Sequence, residues 1–339
     1  MEIYTFWNNK GGTGKTSLCF QTIIRYASTH QRERILVIDM CPQANLSELL
    51  QGGMVGNGAI NLDALYNRPI RCSVGGYFQF RFSSPTHLPQ PFVASDFISK
   101  PSTVNANIPN NVSLVAGDNM VELQSSYISN LATTQIPGNN YYVAVLSWLK
   151  DFLTSIQNDF DVVFIDTNPS FSIYTQIALA ATQKLIIPVM ADDSSKRALN
   201  NVLALLYGIQ LPPIYANNAF NSTLTNANMP LPQIHMIIKN RLTQYMGPAS
   251  GYQSVLRSID ILIQQLQQSH PASFSRPLGI IQEVRDFQST GVVAFAEAKS
   301  FDQLLNEKKT HFIDRQKIQL KTSYIQNNAS DIQNIVNNL

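Results

Sequence analysis

The stretch that decides the fold reads Asn9-Lys10-Gly11-Gly12-Thr13-Gly14-Lys15-Thr16-Ser17, and it directly follows the apolar run Ile3-Tyr4-Thr5-Phe6-Trp7. Glycines allow a turn to take positive φ and bring backbone N–H groups close to an anion. A helix that begins after such a turn points its positive end at the same place. Strand, glycine-rich turn and helix in this order predict a cradle for phosphates, in which Lys15 reaches the β- and γ-phosphates and Thr16 holds Mg²⁺. The sequence therefore predicts a site for a nucleoside triphosphate.

The loop departs from the ordinary pattern G-x-x-x-x-G-K-[ST], which requires glycine where Asn9 stands and does not require a lysine at Lys10. The resulting run Lys-Gly-Gly-Thr-Gly-Lys-Thr resembles the deviant phosphate loop of the ParA/MinD group of ATPases. In that family the first lysine crosses a dimer interface to the partner's nucleotide, so the resemblance implies an ATP-sandwich homodimer. The alternative is a chance glycine-rich turn with a solvated lysine. We expect the nucleotide to contact Lys10, Gly11, Gly12, Thr13, Gly14, Lys15, Thr16 and Ser17.

Composition restricts the class of protein. The chain has 339 residues, of which 44% are hydrophobic and 14% charged, with a formal net charge of +2. Any nucleic-acid binding must then depend on a local patch of basic residues. The cysteines lie far apart and form no C-x-x-C pair, which favours a reducing compartment over a disulfide scaffold or a zinc site. Because the sequence has no leader and no apolar run of membrane-spanning length, we expect a cytoplasmic protein.

Short apolar runs alternate with helical stretches along the chain. Strands are predicted at 35–39, 161–166, 184–189 and 234–238, and helices at 16–29, 142–157 and 172–182. This alternation predicts an α/β fold, a mostly parallel twisted sheet with helices on both faces, as in P-loop NTPases of the deviant Walker A type. Ligands in such folds bind at the carboxyl ends of the strands. The glycine-rich loop, Asp39 and Asp166 all lie at such ends.

Three segments do not fit this alternation, and we interpret them as additions to a single domain over 1–339. Residues 52–111 are rich in Gly, Pro, Ser and Asn, and we interpret them as an insertion. The alternating aromatics at 77–82 are compatible with a hairpin inside it, and 112–117 with re-entry into the sheet. A polar loop is expected at 211–232 and a basic helical tail at 306–339.

A metal-dependent triphosphate site needs carboxylates near the phosphates. Asp166 ends one of the apolar runs and is followed by Thr167-Asn168-Pro169-Ser170, which fits the second acidic motif of phosphate-loop enzymes. The alternative is that Asp166 caps the next helix, a common position for aspartate. We expect Mg²⁺ to be held by Thr16, Asp39 and Asp166.

The run Asp39-Met40-Cys41-Pro42-Gln43-Ala44-Asn45 resembles the family segment Asp-x-Asp-Pro-Gln-Gly-Asn, with Cys41 in place of the second aspartate. In the family that aspartate is associated with positioning or activating the attacking water. A thiol accepts a proton from water only when it is ionised. We place Lys10, Lys15 and Asp39 in catalytic roles and expect slow hydrolysis, which suits a family that uses ATP as a conformational timer.

Two later segments continue the resemblance to about residue 305. Lys239-Asn240-Arg241 resembles the strand end that contributes to adenine recognition, which makes Asn240 the candidate for the base. The alternative is an ordinary exposed loop asparagine. The run Gly279-Ile280-Ile281-Gln282-Glu283-Val284-Arg285-Asp286-Phe287 resembles the late family segment near the base and the dimer face.

Partners are indicated by the distribution of charge. Residues 308–321 contain five basic residues and one acid, and sequence-independent DNA binding is the function expected of such a patch. The candidates are Lys308, Lys309, Arg315, Lys317 and Lys321, with Lys196 and Arg197 as a second group. A solvated helix face is the alternative. The segment 327–339 has no basic residue, so it is a poor membrane anchor of the MinD kind.

The resemblance implies a ParA-like ATPase that uses ATP and Mg²⁺, coats the nucleoid as a homodimer and positions a cargo with a ParB-like adaptor. A non-hydrolysing regulatory switch or scaffold is the main alternative, because Cys41 replaces a carboxylate. A MinD-like positioning ATPase is another. An electron-transfer ATPase related to the nitrogenase iron protein would need cluster-binding cysteines between subunits.

Overall fold

The computed structural model describes residues 1–190, 192–216, 219–242, 250–276 and 281–339. Within these ranges the strands are β1 Glu2–Phe6, β2 Ile35–Asp39, β3 Val112–Val115, β4 Gln135–Ile136, β5 Asn139–Asn140, β6 Val162–Asp166, β7 Lys184–Met190, β8 Gln233–Leu242, β9 Ile281–Arg285, β10 Thr310–Ile313 and β11 Gln316–Gln319. Seven of them form one parallel sheet in the order β3-β2-β6-β1-β7-β8-β9. The predicted α/β class, including each of the strands named above, is confirmed.

Helices cover both faces of this sheet. Their bounds are α1 Lys15–Thr29, α2 Asn45–Leu50, α3 Gly58–Tyr66, α4 Val74–Arg81, α5 Met120–Thr133, α6 Tyr141–Leu146, α7 Trp148–Ser155, α8 Ile173–Ala181, α9 Asp193–Tyr207, α10 Pro213–Ala216, α11 Phe220–Asn226, α12 Ser250–Ser269, α13 Gln288–Ala296, α14 Phe301–Leu305 and α15 Thr322–Val336. Side chains alternate along each strand, so that on β1 Ile3 enters one core while Tyr4 and Phe6 enter the other. A strand buried on both faces explains the continuous apolar runs.

The aromatic segment of the insertion is helical, and the hairpin considered at 77–82 is wrong. Ser73 caps α4, because its Oγ accepts a hydrogen bond from the N–H of Gly76 at 3.1 Å. Tyr77 and Arg81 lie one helical turn apart and are both buried, with the Tyr77 hydroxyl donating to the Trp148 carbonyl. A helix therefore accommodates the same aromatic residues whose alternation along the sequence was compatible with a strand.

The basic helical tail that the sequence predicts at 306–339 is helical only in its second part. Residues 310–319 form the antiparallel hairpin β10–β11, with Ile313 paired to Gln316 across a two-residue turn. Asp314 and Arg315 both take positive φ, 47° and 65°, which is the backbone of a type I′ turn. Helical structure begins only at α15, which packs against α1, α14 and β9. The polar loop expected at 211–232 also contains helical structure, namely α10 and α11. On α11, Phe220 and Leu224 are buried and give the helix an apolar face.

The carboxyl ends of three strands lie side by side. Asp166 at the end of β6 is in register with Phe6 of β1 on one side and with Asp39 of β2 on the other. The glycine-rich loop leaves β1 beside these two carboxylates. This arrangement places the predicted motifs at one edge of the sheet, where α/β folds bind ligands.

Candidate nucleotide site

The glycine-rich loop has the backbone of a phosphate cradle. Gly12 and Gly14 take φ of 73° and 82°, and Gly14 is the N-cap of α1. A Cβ atom built on Gly14 would lie 2.3 Å from Nδ2 of Asn240, so only glycine fits this position. The loop thus delivers Lys15 and Thr16 to the first turn of α1, where backbone N–H groups face an incoming anion.

Lys15 is a buried cation with a weak internal partner. Its Nζ donates to the carbonyl oxygen of Lys10 at 3.2 Å. Burial lowers the pKa of Lys15, while the nearby Asp166 carboxylate acts in the opposite direction. Phosphate oxygens are strong, charge-assisted acceptors for an ammonium group in this position.

Asp166 and Thr16 supply the oxygen atoms expected of a magnesium site. The Thr16 hydroxyl donates to Oδ2 of Asp166 at 2.7 Å, and Oδ1 of Asp166 is buried without a hydrogen-bond partner in the described part of the chain. Burial, together with the charge of Asp39, raises the pKa of Asp166 to about 7. Hard oxygen donors and uncompensated buried negative charge fit Mg²⁺. The helix that follows begins at Ile173 with Ser172 as its N-cap, so the alternative of a capping role for Asp166 is wrong.

Asp39 occupies the equivalent position on β2 but is held by the protein. Its carboxylate accepts hydrogen bonds from the N–H of Cys41 at 3.0 Å and from the N–H and Oγ of Ser47 at 2.9 and 2.8 Å. Burial nevertheless raises the pKa of Asp39 to about 6. These bonds fix the Asp39 carboxylate beside the Thr16–Asp166 pair. The Asp39 carboxylate can therefore contribute to the outer coordination shell of a metal ion, or hold the segment that follows β2 in place.

Cys41 is only 8% exposed. Burial, with the neighbouring Asp39 and Asp166 charges, raises the pKa of the Cys41 thiol to about 12. The thiol is protonated at neutral pH and does not accept a proton from water. Cys19, Cys41 and Cys72 are all free and buried.

Lys10 lies at the rim of the loop and makes an ion pair within the chain. Its Nζ lies 2.5 Å from Oδ2 of Asp192, which is the N-cap of α9 and accepts from the N–H of Ser195. Burial tends to raise the pKa of Asp192, but hydrogen bonds from Lys10 and two serines lower it to about 2. Lys10 is therefore ordered by this contact, in contrast to the alternative of a simply solvated lysine.

A cavity of about 260 Å³ adjoins the loop on the side of β8. Asn240 lines it and is 3% exposed, so the alternative of an exposed loop asparagine is wrong. Its Nδ2 donates to the Thr13 carbonyl at 2.8 Å, while Oδ1 is buried without a partner among the described residues. A buried acceptor without a partner, on a residue that lines the cavity, suits the exocyclic amino group of adenine.

The remaining wall of this cavity comes from the segment after β9 and from α13, and only part of it was predicted from the sequence. Asp286 and Phe287 belong to the late family-like segment, whose Gly279 and Ile280 lie outside the described residues. Gln288, Val292 and Phe295 come from α13 and were missed. One glutamine and two apolar residues on a short helix carry no nucleotide signal, so the sequence offered no way to find them.

The basic candidates for DNA binding separate into two kinds. Lys308, Arg315, Lys317 and Lys321 are exposed on or beside the β10–β11 hairpin. Lys309 instead donates from Nζ to the carbonyls of Leu304, Leu305 and Glu307, at 2.7 to 2.9 Å, and so caps α14. Lys196 and Arg197 are exposed in the first turns of α9.

The described helices include none that is both long and apolar enough to cross a membrane. The apolar face of α15, with Ile325, Ile332 and Ile335, is buried against the rest of the chain.

Comparison with known proteins agrees with this geometry. Residues 1–221 match a family model described as an AAA domain. The virulence plasmid ParA family protein of Chlamydia psittaci is 21% identical over 202 residues, which cover 60% of this chain and 62% of that protein. The chain thus matches about three fifths of the length of this curated relative.

Solved structures share the fold at low identity. The ATP complex of a McdA variant from Cyanothece has a TM-score of 0.61 at 13% identity and covers 99% of this chain and 96% of that one. A plasmid partition protein from Borrelia burgdorferi has a TM-score of 0.53 at 16% identity and covers 100% of this chain and 99% of that one. With the deviant loop, the Thr16–Asp166 pair and the parallel sheet in place, the chain belongs to the AAA domain family and is a P-loop ATPase of the ParA/MinD type.

Proposed function

We propose that this chain is a ParA-like ATPase that closes into a homodimer over two ATP molecules, binds DNA without sequence preference and positions a cargo together with an adaptor protein. The observation that carries the proposal is Lys10, an additional lysine at the rim of a complete phosphate cradle. A lysine in an ion pair with Asp192 is kept at the surface, where a second chain can present a nucleotide to it. Cargo classes compatible with the family are a plasmid, a chromosome or a protein assembly.

ATP and Mg²⁺ are the cofactors that fit the site. The unpartnered Oδ1 of Asp166 and the hydroxyl of Thr16 would hold the ion, and Mg²⁺ would neutralise charge on the phosphates. Lys15 would bind the β- and γ-phosphates, and Asn240 would accept from the adenine amino group.

We expect hydrolysis to be slow and to be stimulated by a partner. The neutral Cys41 thiol does not act as a base, so the attacking water must be activated in another way or wait for an adaptor. Slow turnover would give the ATP-bound dimer a long lifetime, which suits a timer.

DNA binding is assigned to the exposed basic residues of the hairpin region, Lys308, Arg315, Lys317 and Lys321. Four exposed cations, Arg315 and Lys317 on the hairpin and Lys308 and Lys321 beside it, suit salt-dependent contacts with phosphates. A chain bound in this way would be cytoplasmic and associated with the nucleoid. A MinD-like membrane role is less favoured, because α15 buries its apolar face in the core.

Dimer closure can be tested with Lys10→Ala in light scattering, with and without ATP and Mg²⁺. Wild type should shift from monomer to dimer on adding MgATP, whereas Lys10→Ala should bind nucleotide and stay monomeric. Unchanged dimerisation and turnover in Lys10→Ala would show that the deviant-loop interpretation is wrong.

DNA binding can be tested with the double variant Arg315→Glu and Lys317→Glu, with Lys150→Glu as the control, because Lys150 is an exposed lysine on α7. Fluorescence anisotropy with a duplex of arbitrary sequence should show binding about tenfold weaker for the double variant and a shallower salt dependence. Equal loss in the control would indicate a general charge effect instead of a hairpin site.

A second candidate function is an ATP-binding switch or scaffold with little hydrolysis, which the protonated Cys41 favours. Steady-state ATPase measured alone, with DNA and with a candidate adaptor distinguishes the two functions. Stimulated turnover supports the ATPase, and ATP-dependent dimerisation without turnover supports the switch.

A further inference from the structure

The turn after β3 approaches the Asp39 carboxylate very closely. A Cβ atom on Gly117 would lie 2.8 Å from Cγ of Asp39 and 2.8 Å from the Cys41 carbonyl oxygen. The N–H of Gly117 donates to Oγ of Ser47 at 2.8 Å, and the same hydroxyl donates to Oδ2 of Asp39 at 2.8 Å. Ser47 thus joins Asp39 to the backbone of this turn.

The opposite side of the turn is held by the insertion. The Tyr66 hydroxyl donates to the Gly117 carbonyl at 2.6 Å. Arg71 forms a fork on the Asp118 carboxylate, at 2.5 and 2.8 Å, and its guanidinium lies 4.2 Å from the centre of the Tyr66 ring. Ser73 donates to the same carboxylate at 2.5 Å.

These contacts form a continuous path from the insertion to the site: Tyr66, the Gly117 peptide, Ser47 and then Asp39. Burial and the nearby Asp118 and Asp39 charges raise the pKa of Tyr66 above its ordinary value, so its hydroxyl remains a donor. Asp118 and Ser47 are fully buried, and hydrogen bonds in such a place are strong and costly to leave unmade.

We propose that Tyr66 is a positioning residue and that residues 66–73 of the insertion set the place of Asp39 through the Gly117 turn. This gives the insertion a role within the nucleotide site: it sets the Mg²⁺ concentration that the site requires to bind ATP. The inference rests on the proposed ATP and Mg²⁺ site. Tyr66 touches neither ligand and acts through Gly117 and Ser47.

The test is Tyr66→Phe, which removes one hydroxyl and keeps the ring beneath Arg71. Tyr207→Phe is the matched control, because the Tyr207 hydroxyl also donates to a backbone carbonyl, that of Pro232, at 2.7 Å. Binding of a fluorescent ATP analogue is measured in EDTA and then across a Mg²⁺ titration. In Tyr66→Phe we expect the half-saturating Mg²⁺ concentration to rise about threefold, with affinity in EDTA unchanged. The control should match wild type in both.

A Tyr66→Phe protein with wild-type Mg²⁺ half-saturation would overturn the inference, as would an equal change in EDTA, which is what general loosening of the fold predicts. Wild type that binds no nucleotide would instead refute the proposed function. If Tyr66→Phe does not fold, as judged by thermal unfolding, Arg71→Lys replaces it. That variant keeps the charge and loses the fork on Asp118, and the same shift in Mg²⁺ dependence is expected.

Discussion

Asp166 and Asp39 end neighbouring strands and are register partners, yet their surroundings differ. Asp166 accepts one side-chain hydrogen bond, from Thr16, and keeps a buried oxygen without a described partner. Asp39 receives three, all from the segment that follows its own strand. Asp166 thus keeps an oxygen atom available to an external ligand. The Asp39 carboxylate, at the same level of the sheet, is already occupied by hydrogen bonds within the protein.

This difference separates two tasks. The half of the site formed by the glycine-rich loop, Thr16 and Asp166 has each group that binding of a metal and triphosphate requires. In the half formed by Asp39, Cys41 and Ser47, the protonated Cys41 thiol supplies no base, and this half is connected to the insertion through Gly117. Binding of the metal and triphosphate should therefore depend mainly on the first half. The second half should govern turnover and, through Asp39, adjust the Mg²⁺ dependence of binding.

The largest effect is expected for Lys15→Ala. Removing the ammonium eliminates two or more charge-assisted bonds to phosphate, so ATP affinity should fall by ~1,000-fold in isothermal titration calorimetry. Lys10→Ala is the matched control and should bind ATP within a few-fold of wild type. Comparable losses in both variants would show that the two lysines do not have separate roles.

Cys41→Asp should restore the missing base and raise ATP turnover by ~100-fold, the low end of what a positioned general base contributes. Cys41→Ser changes the same position without adding a base and should leave turnover low. Steady-state phosphate release measures both. If Cys41→Asp binds ATP normally and turns over no faster, the slow step lies elsewhere, and the division between the two halves fails.

The first half of the site could be predicted from the sequence because its signals are local. A glycine-rich loop after an apolar run, and an aspartate at the end of another, are visible without the fold. The strands were equally visible, since burial on both faces leaves continuous apolar runs such as Ile35–Asp39.

Asp39 and Cys41 were also visible in the sequence, but the connection of the second half to the insertion could not be predicted, because it depends on contacts between distant segments. Tyr66, Ser47 and Gly117 meet only in three dimensions, and nothing in 66–73 resembles a nucleotide motif. The other errors, at 77–82 and in the C-terminal tail, arose because a short sequence pattern can fit more than one secondary structure. The aromatic residues in 77–82 are compatible with a strand or a helix. The hairpin requires positive φ at Asp314 and Arg315, which these residue types do not predict.

The two carboxylates should also differ in their effect on Mg²⁺. Asp166→Asn removes a charged oxygen from the metal position, so the half-saturating Mg²⁺ concentration for ATP binding should rise at least ~30-fold, whereas Asp39→Asn should raise it ~10-fold, as expected of an outer position. The titration with a fluorescent ATP analogue measures both. A larger effect at Asp39 would reverse the assignment of inner and outer carboxylate.

Stability without nucleotide or metal provides the finest comparison. At pH 8 both aspartates are ionised above their raised pKa values of about 7 and about 6, so the folded state bears the cost of two buried charges. Asp166→Asn removes one of them and can keep the hydrogen bond from Thr16, so its free energy of unfolding should rise by about 1 kcal/mol. Asp39→Asn also removes a charge, but its single carbonyl oxygen cannot accept from both Cys41 and Ser47. At least one donor is left without an acceptor, so the free energy should fall by a similar amount. Urea unfolding in EDTA distinguishes the two. Shifts of the same sign would mean that desolvation alone decides the energetics at both positions and that the three bonds at Asp39 add little.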